Sequence, residues 1–175
     1  MKILTLSGSL RARSSNTELL RAAQLVADRS WTFDHYDGLA SLPHFNPDLD
    51  FEGATPPEPV RDLRVRIAAA DALLICSPEY AHGVPGSLKN ALDWLVIDAA
   101  MIGKPIALLN ASARSAFAHP QLAETLRTMS TRLVDAASVL IPLDGRRLDA
   151  AGMAADPELA PRIRAVLDAL MNNRP

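Results

Sequence analysis

The chain has 175 residues, 49% hydrophobic and 22% charged, a composition that excludes extended disorder and suffices for one hydrophobic core. Its 18 Lys and Arg against 20 Asp and Glu leave a formal charge of −2, which argues against nucleic acid or an anionic membrane as partner, and against the strongly acidic surface of an electron carrier. No apolar run nears the roughly 20 residues of a membrane span. The apolar stretch at residues 1–6 is too short for a signal peptide, and the lone Cys76 excludes an internal disulfide; a cytoplasmic protein with a single domain over residues 1–175 is expected.

Short dense apolar runs alternate along the chain with helical stripes. Residues 3–6 form the first strand candidate and run into Ser7-Gly8-Ser9. Ser15 and Glu18 stand at the spacing of a capping box, so a helix capped by Ser15 is expected, burying Leu19, Ala22, Ala23 and Val26. Residues 31–36 read as a weaker second strand. The stretch 38–59, rich in Pro, Asp and Gly, is too long for a simple connection and reads as a functional or mobile loop. Val60, Leu63 and Ile67 mark a second helix; residues 72–76, apolar throughout, suit a central parallel strand covered on both faces. A third helix starts at Pro85 and carries Leu88, Ala91, Leu92 and Leu95. Strands follow at 105–109 and 137–141, and helices at 121–134 and 158–171. This alternation predicts an α/β fold: a three-layer, doubly wound, parallel five-stranded sheet.

In such a sheet ligands bind beyond the carboxyl ends of the strands, near the switch in strand order. The segments of interest are therefore 7–17, 77–86 and 110–120. The first gathers hydroxyls, a guanidinium and the free amides of a helix N-terminus, the groups that hold a phosphate dianion. It lacks the Gly-Lys-Ser/Thr ending of a nucleotide P-loop and the Gly-x-Gly-x-x-Gly of a dinucleotide cradle, which leaves a mononucleotide such as FMN, or simply a polar turn before a capped helix. The second, Ser77-Pro78-Glu79-Tyr80-Ala81-His82-Gly83-Val84-Pro85-Gly86, is a stiff loop able to present backbone groups to the edge of a planar heterocycle, or else a mere connector.

Gly8-Ser9-Leu10-Arg11 with Ser15-Asn16, then Pro78-Glu79-Tyr80, then Pro85-Gly86-Ser87-Leu88-Lys89-Asn90-Ala91-Leu92-Asp93-Trp94-Leu95 closely resemble the NADPH-dependent FMN reductase family, flavodoxin-like enzymes that include azo, quinone and chromate reductases. Residues 42–49 also look like the family's loop after the second strand, and the likeness covers about residues 1–112. The resemblance implies a flavodoxin-like sheet of order 2-1-3-4-5 and FMN as cofactor, reduced by NADPH or NADH. It implies a ping-pong hydride transfer to a small-molecule acceptor such as a quinone, an azo compound, free flavin or a metal oxyanion. Ser9, Arg11, Ser15, Asn16 and Thr17 would hold the FMN phosphate. Pro78, Glu79, Tyr80 and Gly83 would line the flavin ring, with Ser112 as a further contact. No side chain would act as acid, base or nucleophile. Residues 89–95 would belong to the interface of a homodimer or homotetramer. Two alternatives stand beside this one: a flavin-binding electron carrier or sensor working through a protein partner, and an FMN-less structural relative.

This sequence departs from the family pattern twice. Ala81-His82 stands where Asn commonly follows Pro-Glu-Tyr, and Asn110-Ala111-Ser112-Ala113-Arg114 replaces a Gly-rich stretch. By position, Arg114 is a candidate for a nicotinamide nucleotide's phosphate. His35, His44, His82 and His119 lie too far apart, and without carboxylates at ligand spacing, to suggest a metal. Ser7-Gly8-Ser9 is not the Gly-x-Ser-x-Gly elbow of a serine hydrolase. Cys76, inside a strand, reads as inert packing, Trp94 as core or interface, and the Glu79 carboxylate as solvated or paired.

Overall fold

A computed structural model describes residues 1–143 and 145–173. Five parallel strands, β1 (Lys2–Ser7), β2 (Thr32–Tyr36), β3 (Ala72–Cys76), β4 (Pro105–Leu109) and β5 (Arg132–Leu133), form one sheet of order β2-β1-β3-β4-β5. Ile3 lies opposite Ala72 and Leu73 opposite Ile106, which sets the register of the central ladders. β3 and β4 are buried at every position, the signature of strands covered on both faces.

Successive side chains of a strand point to opposite faces, so the sheet divides its apolar residues between two cores. Leu4, Leu6, Leu73, Ile75, Ile106 and Leu108 pack against α2 (Glu58–Ala69), α3 (Gly86–Asp93) and α4 (Ala118–Thr128). Ile3, Leu74, Cys76, Ala107 and Leu109 pack against α1 (Ser15–Val26), α5 (Ala150–Ala155) and α6 (Leu159–Asn172). The predicted three-layer arrangement and the strand order are both present. Among the described residues no helix is long and apolar enough to cross a membrane.

Four details correct the expectations from sequence. The cap of α1 is Ser14, whose hydroxyl accepts from the Thr17 amide at 3.4 Å; Ser15 is the first helical residue. Glu18 does not reach back, because its carboxylate accepts from the Ala150 amide at 2.9 Å and pairs with Arg21 at 2.9 Å. The expected helix 121–134 instead ends at Thr128, and Ser130, at φ +58°, turns the chain into β5. Residues 137–141, expected as the fifth strand, form no strand: Ser138 Oγ accepts from the Leu108 amide of β4 at 3.2 Å, and backbone pairing is limited to an isolated parallel bridge between Asn110 and Leu140.

The stretch 38–59 contains two 3-10 turns, Gly38–Ser41 and Pro47–Leu49, and α2, α3 and Trp94 hold its middle. The Asn90 amide donates to the Pro43 carbonyl at 2.9 Å and its oxygen accepts from the Phe45 amide at 2.8 Å. Trp94 Nε1 donates to the same Pro43 carbonyl at 2.8 Å, and Phe45 packs edge-on to the indole with centroids 5.1 Å apart. Arg64 holds Asp50 at 2.8 Å with both carboxylate oxygens engaged.

Candidate functional site

The loops after β1, β3 and β4 leave the sheet side by side and wall a cavity of about 650 Å³. Arg11, Ser15 and Asn16 line it from the first loop, Pro78 and Glu79 from the second, and Ser112 from the third. Six of the ten residues singled out from sequence therefore meet here. Ser9 and Thr17 line a smaller cavity of about 260 Å³ on the β2 side of the first loop. Tyr80 and Gly83 stand outside the wall of the larger cavity, in a hairpin at its margin.

The first loop is shaped by its own hydroxyls. Ser7 Oγ accepts from the Thr17 hydroxyl at 2.9 Å and from the Ser9 amide at 3.4 Å; the Ser9 hydroxyl accepts from the Arg11 amide at 3.3 Å. Ser7 was not picked out from the sequence, yet it organises two residues that were. Asn16 is held from behind: the Cys76 thiol donates to its side-chain oxygen at 3.2 Å. Cys76 is fully buried, which pushes its thiol pKa up and keeps it protonated as a donor. The first turn of α1 adds amides without i−4 acceptors and the positive end of the helix dipole. Together with Arg11 these groups suit a phosphate dianion.

Glu79 has the most specific task. Its carboxylate accepts from the Phe117 amide at 2.7 Å and the Ala118 amide at 2.8 Å, capping α4, whose own N-terminus has no side-chain cap. The Ser115 hydroxyl adds a third donor at 3.4 Å. These hydrogen bonds, chiefly from the Ala118 amide, hold the carboxyl below its ordinary value of 4.5. A lowered pKa means the tie is complete above the unfolded value and is lost as pH falls through the folded one. The melting temperature of Glu79→Gln is therefore expected to lie below wild type at pH 7, with the gap closing as pH falls below the ordinary carboxyl value and through the lowered folded one, where both side chains are neutral. Thermal denaturation across pH checks this.

The tip of the second loop is a tight hairpin, with the Tyr80 amide donating to the Gly83 carbonyl at 3.1 Å and the Gly83 amide to the Tyr80 carbonyl at 2.9 Å. Both central residues, Ala81 (φ +48°) and His82 (φ +60°), adopt the left-handed conformation that favours Gly or Asn. They are held there because Gln121 donates to the His82 carbonyl at 3.2 Å and the His82 ring stacks on Phe117 at 4.2 Å, 8° from parallel. Ala81→Gly is expected to raise stability by about 0.5–1 kcal/mol, read from urea denaturation, because Ala carries a steric cost at this φ.

Asn110 was also missed. It is buried directly after β4, and its side chain spans the third loop, donating to the Ser115 carbonyl at 3.0 Å and accepting from the Ser112 amide at 3.0 Å. Arg114, a candidate from its position alone, also lines the larger cavity, together with Ser77, Asn110 and Ser115; Leu143, Gly145, Arg146 and Arg147 add wall from beyond the region taken as promising from sequence. Among the described residues, no group of three or more His, Cys, Asp or Glu gathers as a metal centre requires.

Known proteins resemble the chain over this whole region. A probable NADPH:quinone oxidoreductase of Oryza sativa subsp. japonica is 41% identical over 97 residues, 54% of this chain and 47% of the relative, so the match spans about half of that protein. A 2-hydroxy-1,4-benzoquinone reductase from a Burkholderia species is 32% identical over 174 residues, 96% of this chain and 93% of the relative. Among solved structures, a flavoenzyme NAD(P)H:(acceptor) oxidoreductase from Paracoccus denitrificans has a TM-score of 0.72 at 26% identity, covering 99% of both chains. The family model for NADPH-dependent FMN reductase matches residues 1–145, which contain all three loops around the cavity, and the chain belongs to that family.

Proposed function

We propose that the chain is an FMN-dependent NAD(P)H oxidoreductase that reduces small quinone-like acceptors. The observation that carries this reading is the cavity at the carboxyl ends of β1, β3 and β4, cationic and hydroxyl-rich on one side and backbone-lined on the other. Its donor set fits FMN, and its volume of about 650 Å³ lies within the usual range of ligand pockets. FMN held there would supply hydride-transfer chemistry between NAD(P)H and the acceptor, for which a ping-pong pattern is the kinetic expectation.

The protein contributes position and electrostatics. Arg11, Ser15 and Asn16 hold the phosphate, with Ser9 and Thr17 shaping the same loop through Ser7. Pro78 and Glu79 border the ring, with the Tyr80–Gly83 hairpin at its margin; the Glu79 side chain is already committed to α4 and so gives the ring loop rigidity rather than a proton. Ser112 approaches from the third loop. No side chain serves as acid, base or nucleophile. A cytoplasmic homodimer or homotetramer, with 89–95 near the contact, completes the reading; within the chain that segment already buries Leu92, Trp94 and Leu95.

The test is steady-state oxidation of NADPH by the FMN-loaded protein with 1,4-benzoquinone. Parallel double-reciprocal lines at turnover above about 1 s⁻¹ are expected. An electron carrier would give only slow oxidation without its partner, and that result would overturn the enzyme reading.

A further inference from the structure

A second cavity of about 710 Å³ adjoins the first, and Arg11, Ser15, Arg146 and Arg147 form the wall common to both. Its far side is built by Arg13, Leu148 and the start of α1. Two carboxylates also line it, and both are engaged: Glu18 by the Ala150 amide and Arg21, Asp149 by the Gly152 amide at 2.8 Å. Arg146 is paired outward with Asp156 and Glu158. Among the described residues no carboxylate pairs with Arg11, Arg13 or Arg147, and all three side chains are exposed. Three cations thus converge beside a site whose own ligand brings a single phosphate.

Resting on the FMN reading above, we propose that this second cavity is a subsite for an adenosine phosphate. Arg13, which lines the second cavity and not the first, and Arg147 would grip its phosphoryl group, and the cavity is far larger than a bare phosphate needs. Leu148 gives the adenosine an apolar surface. Two molecules carry this chemistry. One is the reductant NADPH, through its adenosine 2′-phosphate. The other is FAD in place of FMN, whose adenylate half continues from the flavin phosphate.

The experiment uses the full chain and two variants, Arg13→Ala and Arg13→Lys. Isothermal titration measures adenosine 2′,5′-bisphosphate binding to the FMN-loaded protein, and flavin fluorescence quenching measures FMN and FAD binding to the apoprotein. If the subsite serves the reductant, the bisphosphate binds the loaded protein, about tenfold more weakly in Arg13→Ala and with recovery in Arg13→Lys, and the KM for NADPH rises while that for NADH stays. If it serves the cofactor, FAD binds the apoprotein more tightly than FMN, and Arg13→Ala removes only that excess. Retained FMN with no Arg13-dependent binding of either probe overturns the subsite alone. Failure of the apoprotein to retain FMN overturns the underlying reading, and the subsite with it.

Discussion

Gly8→Val is expected to abolish flavin retention and to lower stability by about 1–3 kcal/mol. Gly8 continues β1 into the first loop, its amide donating to the Cys76 carbonyl at 2.9 Å, so its backbone is fixed against the end of β3. A Cβ at this position would lie 2.5 Å from Ser77 Oγ, 3.0 Å from Ser77 Cβ and 3.1 Å from Leu88 Cδ2. The first two of those contacts belong to the loop after β3, and the third to α3. Relief therefore requires separating the loops after β1 and β3, two walls whose spacing shapes the cavity proposed to hold FMN. Gly8→Ala should show the same loss in weaker form. Adding Ser77→Gly to Gly8→Ala removes both Ser77 contacts and should restore part of the affinity, a coupling that a simple folding defect would not produce. FMN titration by fluorescence quenching, alongside urea denaturation, checks all three variants.

Trp94→Ala is expected to cost about 3–5 kcal/mol, the range for removing a fully buried large aromatic. The indole is fully buried, and four attachments depend on the residue or its neighbours. Its Nε1 donates to Pro43, its ring supports Phe45, its carbonyl accepts from Arg64 at 3.2 Å, and Asn90 binds Pro43 and Phe45 beside it. Loss of the ring should therefore release the stretch 38–59 as well as open a cavity. Trp94→Phe, which keeps most of the volume but not the donor, should cost less, leaving the Pro43 carbonyl to Asn90 alone. Hydrogen exchange separates the effects: residues 38–50 should lose protection in both variants, whereas the core strand β3 should do so only in Trp94→Ala.

Much of the architecture was legible because its signals are local. β1, β3 and β4 are dense apolar runs, and α1, α2 and α3 carry clear helical stripes, which suffices for the layers. β5 was misplaced because it has only two half-buried residues, Arg132 and Leu133, and the helix before it ends at Thr128, followed at Ser130 by a left-handed turn that no Gly announces. The stretch 137–141 looked more like a strand than β5 does, although it meets β4's extension at a single bridge. That error hid Arg146 and Arg147, since the rule that ligands bind at strand ends was applied to the first, third and fourth strands only.

Within the site, Arg11, Ser15 and Asn16 were legible as cavity residues because their polar chemistry is intrinsic and they stand beside a strand end. Those overlooked act through partners far along the chain. Cys76 orients Asn16 across 60 residues and Asn90 holds Phe45 across 45, while Glu79, which was singled out, finds the partners of its carboxylate 38 and 39 residues away. Such contacts are products of the completed fold, so no short window of sequence contains them. The capping box shows the reverse hazard, because Ser15 and Glu18 match its spacing, yet Ser14 is the better placed cap and Glu18 has a tertiary partner in Ala150.

The central claim is that the cavity between the three loops holds FMN, and one measurement tests it most directly. The purified protein is loaded with FMN, freed of excess by gel filtration, and its absorbance spectrum recorded with an Arg11→Ala variant in parallel. The account predicts the absorption bands of a bound flavin (about one flavin per chain) in the wild type, and a loss of at least about tenfold in affinity in Arg11→Ala. A colourless wild-type protein that cannot be loaded, or an Arg11→Ala variant that retains flavin as well as wild type, would contradict it.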